Sequence, residues 1–336
     1  MNNTLKTLSE TTGYSISTIS RVLSGKGKQY RISESAMQRI LEEANKLNFR
    51  PNSIAQSLRT EKTYTLGLVI PNLSNSYFSN IASVIIREAR NEDYRVIILD
   101  TMENEENEQE AVDTLLSHKT DGILLVPCGA DASRLEQINS LRTPVLLIDR
   151  YFPESELTHI ATDNYRGACM ATEHLISNGH KDILCLQGIP HSSPNKERVR
   201  GYRDTLAKYG YDSRLNIRGN DFSFESGYLQ TRLILNNEQR PSAIFALSNT
   251  ILLGAMKAIR EAHLRIPEDI SIISFDNEAY LDLLDPPISR ISQPSPQIAS
   301  LAVHTLIGLM KGEKKEPILL PPTLIPGESV RNLFIG

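Results

Sequence analysis

The run GYSISTISRVLSG, residues 13–25, sets the puzzle of the chain. Its central eight residues, Ser15 to Val22, repeat apolar positions at helical spacing. Yet they consist of three serines, a threonine, three β-branched aliphatics and one arginine, most of them indifferent helix formers. At about 100° per residue, Ile19, Val22 and Leu23 fall on one arc and Ser17 and Arg21 on the other. One face belongs to a core and the opposite face is small and polar. Small outward side chains let a helix axis approach a surface closely, and the DNA major groove admits a helix. The Arg21 guanidinium can bridge two acceptors on a guanine edge, and the hydroxyls of Ser15, Ser17 and Ser20 can reach phosphates. Taken alone, the run suits an ordinary capped helix in a small bundle equally well.

Its surroundings tip the balance. Leu5 and Leu8 precede it, and Ala36, Ile40, Leu41, Ala44 and Leu47 follow at spacings of three and four, so three short amphipathic helices span residues 5–47. Gly13 and the polar SGKGKQYRIS link them, with Ser15 and Ser33 at N-cap positions that lack a Glu or Gln three residues on. Residues 1–60 carry nine Lys or Arg against four Glu, a net of +5, whereas the remainder carries −9. Two helices about a glycine turn, a third helix and a basic head on an acidic body point to a helix-turn-helix.

From Tyr64 the pattern changes to short apolar runs, TLGLVIPN, YRVIILD, DGILLVP, TPVLLID, KDILCLQG, SAIFALSN and DISIISFD, alternating with helical stretches. That alternation predicts parallel βαβ units, and so many buried strands predict two doubly wound subdomains. Between head and body, NFRPNSIAQSLRTEKTY contains Pro51, a short helix-capable segment and a polar end, which reads as a hinge. Cys128, Cys169 and Cys185 are scattered without ligand spacing, so neither a disulfide frame nor a zinc site is expected. No leader-like or membrane-length apolar run is present, and a bacterial cytoplasmic, nucleoid-associated protein is expected.

On TLKTLSETTGYSISTISRVLSG, NFRPNSIAQSLRT, SNSYF, TDN, EHLISNGHKDI, RVRGYRDTL, LRIPEDISIISFDN and PPISRISQP, the chain resembles the LacI/GalR transcriptional regulators along its whole length. The resemblance implies a small all-α helix-turn-helix head joined to an α/β, periplasmic-binding-protein-like body of two doubly wound parallel-sheet subdomains. The expected divisions are a head at 1–50, a hinge helix and linker at 51–62, one effector subdomain at 63–162 plus 293–322, and the other at 163–292 plus 323–336. It implies a homodimer on a pseudo-palindromic double-stranded operator, with Ile16, Ser17 and Arg21 as base readers. Ser15, Thr18, Ser20, Lys26 and Lys28 would meet the backbone. The hinge, with Asn52, Ala55 and Leu58, would enter the minor groove, Leu58 acting as a wedge that parts two base pairs. A small effector, a sugar or sugar phosphate, would sit between the lobes on Tyr77, Phe78, Asp163, Arg198, Phe222, Asn249 and Asp276. Effector and operator affinities would be coupled, a catabolic sugar pointing to release.

The chain departs from the family at Ser9, where alanine is usual and a hydroxyl must bond back to the Leu5 carbonyl or face water. The GKGKQYRIS loop is longer than many, and Asn249 stands where many relatives carry Asp. No heptad tail follows LIPGESVRNLFIG, so nothing supports a coiled-coil tetramer. Two rivals compete. A dinucleotide-dependent enzyme would need a G-x-G-x-x-G after the first strand, and none occurs. A sugar-binding protein without DNA function would need a leader and no basic head. No cofactor and no catalytic residue is expected.

Overall fold

In the head, each helix begins on a hydroxyl. The computed structural model describes residues 4–49, 62–141, 143–236 and 240–334, so the hinge positions Asn52, Ala55 and Leu58 lie outside the described residues. Helices α1 (Leu5–Thr12), α2 (Ile16–Leu23) and α3 (Glu34–Lys46) are capped by Thr4, Ser15 and Ser33, which accept N–H groups from Thr7, Thr18 and Ala36. Gly13 closes α1 with φ 77°, a left-handed turn that only glycine adopts cheaply, and its N–H donates to the Ser9 carbonyl. Leu8, Ile19, Val22, Ile40 and Ala44 meet in a common core. Ser9 corrects the sequence expectation: its hydroxyl donates to the Tyr14 carbonyl at 2.7 Å, not to Leu5. The left-handed turn brings that carbonyl back over α1, and the serine ties the turn to the helix before it.

The chain divides into two compact units, Met1–Thr63 and Tyr64–Gly336. The larger holds two six-stranded sheets. The first contains β1 (Thr65–Ile70), β2 (Arg95–Asp100), β3 (Gly122–Leu125), β4 (Val145–Ile148), β5 (His159–Thr162) and β11 (Ile318–Leu320), in the order β11-β5-β4-β3-β1-β2. The second contains β6 (Ile183–Leu186), β7 (Asn216–Arg218), β8 (Ala243–Ala246), β9 (Ser271–Phe275), β10 (Ser289–Ser292) and β12 (Thr323–Ile325), in the order β12-β10-β9-β8-β6-β7. Every pairing is parallel except β10 with β12.

Both faces of each sheet are covered, which explains why the central strands are apolar on both sides. Helices α4 (Ser76–Asn91) and α11 (Ser295–Met310) pack on one face of the first sheet, and α5 (Glu105–Ser117) and α6 (Ser133–Ser140) on the other. On the second sheet, α7 (Asn164–Ser177) and α8 (Ser193–Lys208) oppose α9 (Phe224–Leu235) and α10 (Asn249–Glu261). The α9 and α10 backbones nearly touch: a Cβ on Gly254 would stand 2.0 Å from the Phe224 carbonyl oxygen. The chain passes between the sheets after Thr162, after Ser292 and between Leu320 and Thr323. No helix among the described residues is long and apolar enough to cross a membrane.

Candidate functional site

In the head, the N-terminal turn of α2 is open to solvent. Ile16 is 48% exposed, and Ser17 and Arg21 are exposed on the face opposite the buried Ile19 and Val22. The Ser15 hydroxyl lies 2.9 Å from that of Ser17 and 2.8 Å from that of Thr18, a hydroxyl cluster at the positive end of a helix. Ser20 is half-buried, and Lys26 and Lys28 are exposed on the following loop. No carboxylate pairs with Arg21, Lys26 or Lys28 among the described residues. Unneutralised cations beside small hydroxyls make a surface suited to phosphates and base edges.

In the body, strand ends of both sheets converge on a cavity of about 450 Å³. Tyr77 and Phe78 enter it from the first turn of α4, Arg198 from α8, Phe222 from the loop before α9, and Asp276 from the end of β9. The Phe222 ring lies against Gly188, where a Cβ would meet it at 2.2 Å, so glycine makes room for this wall. Five of the seven residues expected in the cleft are thus brought together.

The other two are placed elsewhere. Asp163 is the N-cap of α7, its carboxylate accepting the Arg166 N–H at 2.9 Å, a task that fits Asp at a helix start. Its neighbour Asn164 is buried and accepts a hydrogen bond from Arg198 Nε at 2.7 Å. Asn249 opens α10, where its side-chain oxygen accepts the Tyr280 hydroxyl and its backbone N–H donates to Asp276. Asn249 thus supports the cavity from outside its lining through Asp276, whereas on the other side that task falls to Asn164 and not to Asp163.

The sequence reading missed Asp149, Arg150 and Gln293, which also line the cavity. Asp149 ends TPVLLID, Arg150 directly follows it, and Gln293 lies in PPISRISQP, so strand-end position is the available signal. Gln293 is the junction: its oxygen accepts the Thr162 hydroxyl at 2.7 Å and faces the Tyr77 hydroxyl at 3.3 Å, while its nitrogen donates to Asp276 at 2.6 Å. Tyr77 donates to Asp149 at 2.7 Å. Arg150 forks onto Glu103 with two bonds of 2.7 Å.

Burial sets the electrostatics. It raises the Asp149 carboxyl above the ordinary range, against the pull of Arg198 and Tyr77, and raises the Tyr77 phenol well above its usual value, helped by Asp149. Burial also lowers the Arg198 guanidinium, which Asp276 and Asp149 support. Arg198 stacks on Phe275 at 3.9 Å and spends Nε on Asn164 and Nη1 on the Leu247 carbonyl. Its Nη2 donates to no acceptor among the described residues, which leaves that group for a guest.

A second cavity of about 440 Å³ lies beyond Arg150, lined by Tyr151, His191 and Ser193 among others. Arg150 lines it too, but its carboxylates, Asp131, Glu136, Glu154 and Glu197, are none of them buried, whereas the first cavity gathers the buried Asp149, Asp276 and Arg198 and has the chemistry of a polar-ligand site. Among the described residues no group of His, Cys, Asp and Glu could hold a metal ion.

A periplasmic binding protein-like domain matches residues 172–330. The chain is 30% identical to the ribose operon repressor of Haemophilus influenzae, over 98% of this chain and 99% of that one. It is 30% identical to the transcriptional repressor PurR of Actinobacillus pleuropneumoniae over the same shares. The crystal structure of the lac repressor dimer bound to operator and the anti-inducer ONPF superposes with a TM-score of 0.89 at 25% identity, covering 98% of this chain and all of that one. The chain belongs to the LacI/GalR family of transcriptional regulators.

Proposed function

We propose that this protein is a repressor that holds a two-fold operator as a homodimer, acting on the nucleoid in the bacterial cytoplasm, and that an uncharged sugar in the interlobe cavity sets its grip. The carrying observation is that one chain holds both an open helix face bearing Ile16, Ser17 and the unpaired Arg21, and a cavity where Asp149, Arg198, Asp276 and Gln293 converge. In this reading each α2 enters a major groove, with Ile16, Ser17 and Arg21 on bases and Ser15, Thr18, Ser20, Lys26 and Lys28 on the backbone.

The lining favours a neutral polyol over a sugar phosphate. Asp149, Asp221, Asp276, Glu103 and Glu225 face only Arg150 and Arg198, and Arg150 is already forked onto Glu103. Carboxylates in excess repel a phosphate and accept sugar hydroxyls. Phe78 and Phe222 give flat apolar faces for the ring. Coupling follows from linkage: a sugar that favours one lobe spacing changes operator affinity by the same factor that operator changes sugar affinity.

The test selects duplexes from a randomised library with the full-length protein, then measures their affinity with and without a panel of uncharged pentoses and hexoses and their phosphates. Selective binding that one neutral sugar changes is expected. Arg21→Ala should lose the preference for the selected duplex and keep sugar binding. Retained selectivity in that variant overturns the recognition-helix role, and a response to phosphates alone overturns the ligand class.

A further inference from the structure

We infer that Tyr30 is a positioning residue for Arg21, presetting its guanidinium for a base edge before DNA arrives. The inference rests on the operator-reading role proposed for Arg21. The Arg21 Cζ stands 4.1 Å from the centroid of the Tyr30 ring. Both side chains are exposed, Tyr30 by 49%, and no protein acceptor among the described residues takes an Arg21 side-chain N–H. A guanidinium stacked by its face keeps its in-plane donors free, and in-plane donors are what a guanine edge requires.

The loop that presents Tyr30 is built by the backbone. Gly25 donates to the Val22 carbonyl and Lys26 to the Arg21 carbonyl, so the loop starts on the last turn of α2 itself. Tyr30 donates to Lys26, Arg31 to Lys28 and Ile32 to Gly27, which winds the segment back on itself. Gly27 is pressed against Met37, where a Cβ would stand 2.4 Å from Sδ, and this seats the loop on the head core. Arg31, with φ 54°, takes a left-handed turn directly after Tyr30. The ring is therefore carried by a folded loop and restrains a long side chain that is otherwise free to sample many rotamers.

The experiment uses full-length protein, the duplex selected by the wild type, and a scrambled duplex. Exposed cation–π contacts correspond to about two- to fivefold in an equilibrium, so Tyr30→Ala should weaken the selected duplex about five- to thirtyfold across two half-sites. Affinity for the scrambled duplex and the salt slope should not move, because no phosphate contact is removed. Tyr30→Phe keeps the ring and should bind as wild type; Tyr30→Leu keeps bulk without a π face and should fail as Ala does. In an Arg21→Ala background, Tyr30→Ala should add nothing.

Wild-type affinity in Tyr30→Ala or Tyr30→Leu overturns the inference. So does an equal loss in Tyr30→Phe, which would make the phenol a direct contact, or a further loss on top of Arg21→Ala. Wild-type protein that enriches no sequence overturns the operator-reading role itself and this inference with it, an outcome distinct from all the others.

Discussion

Asp149 and Asp276 occupy equivalent places in the two lobes: each directly follows the third strand of its sheet's order, β4 and β9, and each has a left-handed backbone, φ 64° and 78°. Asp tolerates that conformation better than most residues, at some cost in strain. The sharp turn ends the strand and aims each carboxylate into the cavity. Two lobes of one design thus offer one acid each, and Tyr77 and Gln293 join them through hydrogen bonds.

Asp276 accepts from the Gln293 amide and the Asn249 N–H. In Asp276→Asn, the new amino group must face one of those donors, which costs about 1–3 kcal/mol for the unsatisfied buried group. Urea unfolding should register a loss of that size. Calorimetric titration should show sugar affinity down at least about tenfold, and the sugar-dependent change in operator affinity should vanish. An undiminished change would remove Asp276 from the ligand site.

Asp149 predicts a pH effect. Burial raises its carboxyl, so between the ordinary carboxylate range and that raised value the unfolded chain has lost a proton that the folded chain keeps. Stability from this group is complete below the window and is lost as pH rises through it. Asn accepts the Tyr77 hydroxyl without that cost, so Asp149→Asn should gain on the wild type as pH rises. Unfolding curves at about pH 4 and about pH 8 check this; a constant gap between the two proteins contradicts it.

Two bonds clasp the lobes on either side of the cavity: Ser76 Oγ donates to Glu278 at 2.6 Å, and the Tyr151 N–H to Ser193 Oγ at 2.8 Å. Ser76→Ala deletes a hydrogen bond to a carboxylate, worth about 1.5 kcal/mol or more when charge-assisted. Sugar affinity should fall about tenfold or more, with the melting curve little changed. Titration calorimetry decides, and unaltered affinity would mean that this bond persists in both lobe arrangements.

Ile19 is fully buried at the centre of the head. Ile19→Ala should cost about 2–4 kcal/mol, a large share of the stability of so small a unit. Binding to selected and scrambled duplexes should drop together while sugar affinity holds. Loss confined to the selected duplex would instead make Ile19 a base reader.

Legibility followed unbroken apolar composition. The seven apolar runs correspond to β1 to β4, β6, β8 and β9, strands covered on both faces and therefore written in Leu, Ile, Val and Ala. β7, β11 and β12 read NIR, ILL and TLI, three residues each and too brief for a period to emerge, while β5 and β10, HIAT and SRIS, are as long as β3 and β4 but interrupt their apolar residues with His, Thr, Ser and Arg. In the head, spacing sorted Ile19 and Val22 inward and Ser17 and Arg21 outward. Within the cavity, residue type and family likeness led to Arg198 and Asp276 but also to Asp163 and Asn249. A carboxylate that caps a helix and one that faces a ligand look alike until the neighbouring N–H groups are placed. Sequence alone places Tyr30 only in a polar loop, because its contact with Arg21 spans a turn that no periodicity describes.

Gln293 sits where the chain leaves β10 for α11, and its amide cannot turn over without breaking bonds at both ends. The pocket is therefore wired across its lobes, and a guest announces itself only by rerouting that wiring at a crossing between them. A compound that fills the space yet leaves the amide untouched should occupy the protein mutely. Deoxygenated analogues of the true effector, stripped one hydroxyl at a time, should include at least one that binds in calorimetry and leaves the DNA grip as it was; if every binder also alters the grip, the amide is not the messenger.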